Sequence, residues 1–295
     1  MKKNRKKSTK KRRPAAEVFA GLISANIILF LIVWAVYATL SPIIEEETER
    51  TKISGETQKE EKNMTTLLIL DRREEDESAV FVLFRADRKN KKIKILTLPE
   101  KTAEGKADLK TAYFSGGGKT AAFFIFDKLD IKPDRYCTLK KEGFSLLTGL
   151  LGVIDLNIER EIRVEKSFDA PVSYKAGAGT FDGEQLYDLF LSDFVLEGEG
   201  YKSNFISNVF GSFAEENLNS GFLNKRNVFS EKFFEAAEST DISAFDIDGI
   251  NSFIEALAEN TEKKTEIIKI SGEEKDDVFI LSGEAREYIK RSFAD

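Results

Sequence analysis

The 295-residue chain contains no histidine and a single cysteine, Cys137. Without histidine there is no Ser-His-Asp or Cys-His catalytic device, and a Cys/His zinc site is equally excluded. One cysteine leaves no intramolecular disulfide. Cys137 lies in the run Arg135-Tyr136-Cys137-Thr138-Leu139, which reads as a buried strand, so its thiol is expected to be structural. Any catalysis must draw on carboxylates, arginines, lysines, hydroxyls or a hard metal ion.

Charge is missing from Val18 to Leu40, where only Ser24 and Asn26 interrupt an apolar run. At 1.5 Å per residue, a helix of this length reaches about 34 Å, enough to cross a hydrocarbon layer of roughly 30 Å. Nine Lys and Arg residues crowd the first thirteen positions, and Glu45, Glu46 and Glu47 follow the run. This asymmetry predicts a cytoplasmic tail over 1–17, a transmembrane signal anchor over 18–40 and everything later outside the cell membrane. Trp34 and Tyr37 fall near the outward end, at headgroup level. The run exceeds the roughly 7–15 residue core of a cleaved secretion signal, and no small-x-small cleavage site follows it.

Residues 41–63 are mostly Ser, Thr, Glu and Lys and read as a solvated stalk. This leaves 64–295 as the outer domain. Outside the first thirteen residues, 36 basic residues face 51 acidic ones, a net of −15. A domain this acidic repels nucleic acid phosphates, so no nucleic acid partner is expected. The tail suits anionic lipid headgroups.

Apolar runs at Thr65–Leu70 and Ala79–Phe84 predict strands buried on both faces, with Lys92–Leu98 completing a hairpin after Asp87-Arg88-Lys89-Asn90. Gly116-Gly117-Gly118-Lys119-Thr120 ends like a phosphate-binding loop, but that loop needs glycine five positions before Gly118, where Tyr113 stands. The glycines are expected instead to form a turn before a helix over 121–129. A strand over 135–139, a helix over 142–151 and a strand over 152–158 continue the alternation. Thr180 and Asp182 are candidate caps for a helix through Phe190. Further helices are expected over 202–213, 230–237 and 247–258, then strands over 266–270 and 278–281 and a last helix over 284–293. The order predicts a layered α/β (α+β) domain, a central mixed sheet with helices on both faces.

The order of short motifs resembles the LytR-CpsA-Psr family of envelope proteins. The resemblance rests on Leu129-Asp130-Ile131, Asp134-Arg135-Tyr136, Glu142-Gly143-Phe144 and Leu151-Gly152-Val153-Ile154-Asp155. Ala112-Tyr113, Gly116-Gly117, Leu98-Pro99 and Asp182-Gly183-Glu184-Gln185 add to it. It implies an activity, transfer of a glycopolymer from a polyprenyl-pyrophosphate carrier to peptidoglycan. It further implies arginines and aspartate-held Mg²⁺ around the pyrophosphate, and an apolar cavity for the polyprenyl tail.

Against that pattern the sequence departs. Where the family has Arg-Ser-Asp, this chain has Glu77-Ser78-Ala79; where it has Pro-Arg-Asp, this chain has Pro99-Glu100-Lys101. A later arginine pair falls on Leu191 and Asp193, and an Arg-Gln pattern falls near Ser203-Asn204. What survives is Asp71, a candidate metal and catalytic residue, with Arg72 and Arg73 beside it. Arg85 and Lys101 are candidate ligand-binding cations that could compensate for the lost arginines.

Each exchange of arginine for an acid alters the local charge by two units. At an effective dielectric near 20, one unit at 4 Å amounts to about 4 kcal/mol. The expected function is therefore a degenerate member, binding polyprenyl-linked glycopolymer or envelope partners without transfer. The alternative is an active Mg²⁺-dependent phosphotransferase whose cations have been rearranged. The two differ in whether at least two of Arg72, Arg73, Arg85 and Lys101 converge with Asp71 at one cavity mouth. The 24 phenylalanines suit either a lipid-lined cavity or an aromatic core.

Overall fold

The computed structural model describes residues 63–294 other than 106, 165–171, 193–197 and 261. The expected tail, anchor and most of the stalk lie outside the described residues, and so does Asp193. Among the described residues no helix is long and apolar enough to cross a membrane.

Six strands form the central sheet. β1 (Met64–Arg72) runs antiparallel to β2 (Ser78–Asp87), which pairs with β3 (Lys92–Leu98), while two two-residue strands, β4 (Ala103–Glu104) and β5 (Ala107–Asp108), follow as a separate ribbon. β6 (Arg135–Leu139) joins the other edge of β1 in parallel. β7 (Ile154–Ile158), β8 (Ile162–Val164), β9 (Val172–Tyr174) and β10 (Gly177–Phe181) make two smaller ribbons, β7 with β10 and β8 with β9. β11 (Ala237–Thr240) and β12 (Thr265–Ile267) close the main sheet in the order β11-β6-β1-β2-β3-β12. β13 (Gly272–Lys275) and β14 (Val278–Leu281) form a last hairpin. Asp276 and Asp277 both take positive φ between them, as a two-residue primed turn requires.

Both faces of the sheet are covered, which is why β1 and β2 are continuously apolar. One face buries Leu67, Ile69, Phe81 and Leu83 against α2 (Leu109–Leu129) and α9 (Gly283–Phe293). The other buries Leu70, Val80 and Val82 with residues of α3 (Lys141–Leu151), α4 (Gly183–Leu191) and α5 (Glu199–Asn217). α7 (Arg226–Ala236) and α8 (Ala244–Ala258) extend this layer, and two single turns, α1 (Arg73–Asp76) and α6 (Ser220–Leu223), lie in connections. Asp182 caps α4 in a reciprocal capping box with Gln185. α5 is tied to β3 by a buried pair: Ser207 donates to Thr97 Oγ1 at 2.8 Å and accepts the Thr97 N–H at 2.9 Å. Thr97 lies beyond the reach of β12, whose register ends at Ile95, so the serine satisfies an otherwise orphaned donor.

The glycine run breaks the helix, as expected, but with a further helical stretch before it. The helix starts at Leu109, capped by Asp108, and only Gly117 leaves helical geometry, with φ 73° and ψ −164°. The break ahead of 121–129 thus falls at Gly117, within the glycine run, and what the sequence does not signal is the helical stretch from Leu109 that precedes it. A side chain at Gly118 would collide with the Tyr136 ring, so the glycine there lets α2 lie directly on β6.

Candidate functional site

Asp71 is the penultimate residue of β1, opposite Ala79, and is 6% exposed. Its Oδ1 accepts the Arg73 N–H at 2.9 Å, turning the chain into α1. The phenol of Tyr187 donates to the Asp71 carbonyl. On the α2 side, burial and the neighbouring Asp71 carboxylate push the Tyr113 phenol well above its usual range. The Arg73 guanidinium stands 5.1 Å from the ring centres of both Tyr113 and Phe114. Asp71 and Arg73 thus share one neighbourhood.

Arg72 points the other way, as strand alternation requires. Its Nη2 donates to the Leu191 carbonyl at 2.7 Å, at the end of α4. Arg85 pairs across from Thr65, at the opposite end of β1 from Asp71. Six residue steps along the strand separate the two, about 20 Å. Arg85 is buried and donates to Thr65 Oγ1 at 3.2 Å and to the Ala294 carbonyl at 3.0 Å, so it ties the sheet to the C-terminal segment. Lys101 follows β3 and forms an ion pair with Asp277 in the β13–β14 turn. That contact raises the lysine pKa and lowers that of the aspartate. Of the four candidate cations, the structure brings only Arg72 and Arg73 beside Asp71, on opposite sides of the strand.

The residue that occupies the end of β2 is Glu100. Its Oε2 accepts the Ala79 N–H at 3.0 Å and its Oε1 pairs with Lys110 Nζ at 3.1 Å. Ala79 and Glu100 stand where the family resemblance calls for an aspartate and an arginine. Next to them burial raises the Glu199 carboxyl, opposed by Lys202 and reinforced by Glu100 and Glu274. The space bounded by Ala79, Pro99, Glu100, Glu199, Lys202 and Ser203 is about 10 Å³. A single water needs about as much. Among the described residues no group of three or more His, Cys, Asp or Glu side chains is placed to hold a metal ion. Opposite Asp71 on β2 stands Ala79, whose side chain carries no oxygen for a metal.

An apolar cavity of about 330 Å³ lies on the other face of the sheet. Thr66, Leu68, Phe84 and Cys137 form its sheet wall, and Phe144, Phe210, Phe213, Phe229 and Phe233 its helix wall. Burial pushes the Cys137 thiol up to about 12. None of the five candidate residues lines the cavity. On this face of β1, Thr66 and Leu68 are followed by Leu70, packed in a cluster with Leu186, Tyr187 and Phe190, and then by Arg72. Arg72 is thus the candidate on the cavity's side of the strand, one pleat beyond Leu70. Sequence reasoning did not anticipate Glu199 or the helix wall. The wall's signal was the spacing of Phe210 and Phe213 with Ala214 on α5, readable as a packed stripe but not as the border of a void.

A mixed sheet clad on both faces by helices defines a class of α/β domain with solved examples. A Eubacterium siraeum protein described as a transcription regulator superposes with a TM-score of 0.70 at 20% identity, over 78% of this chain and 90% of its own. Bacillus subtilis TagV gives 0.62 at 19% identity, over 79% and 96%. TagT bound to LI-WTA gives 0.58 at 16% identity, over 82% and 93%. The sequence pattern of the LytR_cpsA_psr family matches residues 32–190, more than half of the chain, and the chain belongs to this family. No curated protein matches it by sequence.

Proposed function

We propose that the protein is an envelope protein that holds a polyprenyl-linked glycopolymer by its lipid, in the apolar cavity, and does not transfer it. In this reading residues 1–17 are cytoplasmic, 18–40 span the cell membrane, 41–63 form a stalk and 64–295 work outside. Family membership supports the envelope setting, and the similar TagT structure contains a ligand designated LI-WTA. An acidic outer domain speaks against direct contact with DNA.

The observation that carries the loss of transfer is Glu100. Phosphoryl transfer depends on cations positioned to neutralise developing charge. Here a carboxylate is hydrogen-bonded to the end of β2, a second lies beside it at Glu199, and the space between them fits about one water. The alternative, an Mg²⁺-dependent phosphotransferase, draws on Asp71 and Arg73 lying side by side. Incubation with a polyprenyl-pyrophosphate-linked saccharide, peptidoglycan and Mg²⁺ separates the two. Binding with no release of polyprenyl phosphate is expected. Release that disappears in Asp71→Asn would establish the transferase instead.

A further inference from the structure

A second cavity, of about 730 Å³, lies along α5 between β7 and β12 and shares no lining residue with the apolar one. Its floor is one stripe of the helix, in which Tyr201, Phe205, Asn208 and Ser212 recur every four residues or so. Its walls are the outward positions of β7, Asp155 and Asn157, and the lysines flanking β12, Lys263 and Lys269.

Part of the polar lining serves the fold. Asn204 spans Ile270, accepting its N–H at 2.9 Å and donating to its carbonyl at 3.0 Å. Glu215 accepts the Thr265 N–H at 2.8 Å. These two side chains close the outer edge of β12 much as another strand would, and Asp155 accepts from Thr180. Four polar side chains in the groove are not used in this way: Tyr201, Asn208, Ser212 and Asn157 have no side-chain partner among the described residues.

We propose that this groove binds an uncharged saccharide chain. Hydroxyl and amide groups that both donate and accept match sugar hydroxyls, whichever way these point. The half-buried Tyr201 ring, one turn from Phe205, supplies an apolar face for the C–H side of a pyranose. Four carboxylates, Asp155, Glu159, Glu215 and Glu216, outnumber the two lysines, so a phosphate-bearing polymer is repelled. The volume falls in the range of about 300–1,000 Å³ typical of ligand sites. The inference deepens the proposed function and rests on it for the presence of a glycan, but its chemistry belongs to the groove alone.

The test is calorimetric titration of the full-length protein with chitotetraose and cellotetraose as neutral probes, and with polyphosphate and tetra-alanine as a polyanion and a peptide. A neutral tetrasaccharide is expected to bind, and Tyr201→Ala to weaken it about tenfold. Asn208→Ala should weaken it several-fold with unchanged thermal unfolding, since that side chain is exposed. Failure of both saccharides to bind, binding indifferent to Tyr201→Ala, or binding of polyphosphate or the peptide in their place would overturn the proposal. Polyprenyl alcohol titrated into the same sample keeps the two readings apart. Saccharide without lipid binding contradicts the cavity's role, and lipid without saccharide binding contradicts the groove's.

Discussion

Ala214→Leu should make the protein more stable and at the same time block lipid binding. Ala214 sits on α5, is 7% exposed and faces the apolar cavity. At an ordinary core position, extra methylenes cost about 1–3 kcal/mol through overpacking. Here about 330 Å³ of apolar space receives them. Three added carbons at about 0.8 kcal/mol each gain about 2.4 kcal/mol, and fixing the leucine rotamer returns about 0.5–1. Leucine is nearly as good a helix former as alanine. The net gain of about 1.5 kcal/mol corresponds to a rise in Tm of roughly 3–6 °C for a domain of this size. Thermal unfolding with and without polyprenyl alcohol measures both effects. The alcohol should raise the Tm of the parent protein and leave that of the variant unchanged, because only a ligand that binds the folded state stabilises it. A lower Tm with an undiminished response to lipid would show that the space is an ordinary packed core.

Other residues give separate tests. Arg85→Met removes two charged hydrogen bonds, to Thr65 and Ala294, and should cost about 2–4 kcal/mol in urea unfolding without changing lipid affinity; an affinity loss would return Arg85 to the binding site. The Arg135 guanidinium at 2.9 Å holds the Asp246 carboxyl down to about 2. Because the folded value lies below the unfolded one, this stabilisation is present above about pH 4 and is lost as pH falls toward 2. Arg135 is more than a third exposed, so the pair is assigned about 1 kcal/mol, and Arg135→Ala should flatten acid unfolding across that window. Cys137, with its thiol pushed up to about 12, should resist alkylation at pH 8 in the folded protein and react only on unfolding; labelling at the rate of a free thiol would contradict its burial.

Much of the sheet was readable because burial on two faces leaves a continuous apolar run, as in Leu67–Leu70 and Val80–Leu83. β11 was not, since Ala237-Glu238-Ser239-Thr240 has no apolar pattern and becomes a strand by adding its backbone to the edge of β6. The break in α2 was readable from its three glycines, of which only Gly117 takes the positive φ that makes it, but the helical stretch before it, from Leu109, was not. The nearness of Asp71 and Arg73 follows from two residues of chain. Arg85 required the register, since a hairpin turning at 73–77 carries residue 85 back beside Thr65. The acidic replacement at Glu100 was visible in the sequence, but its hydrogen bond to Ala79 depends on the pairing of β2 with β3, and its neighbour Glu199 on α5 reaching the sheet end.

The central claim, a cavity that keeps the lipid beside a sheet end closed to its anionic head, is tested most directly by comparing two ligands. Short-chain polyprenyl alcohol and the corresponding pyrophosphate are titrated into the full-length protein, with and without Mg²⁺. Comparable affinities, indifferent to Mg²⁺, are predicted. Tighter binding of the pyrophosphate by about a hundredfold, dependent on Mg²⁺, would mean a gain of roughly 2.7 kcal/mol from a working cation site, and would contradict the account.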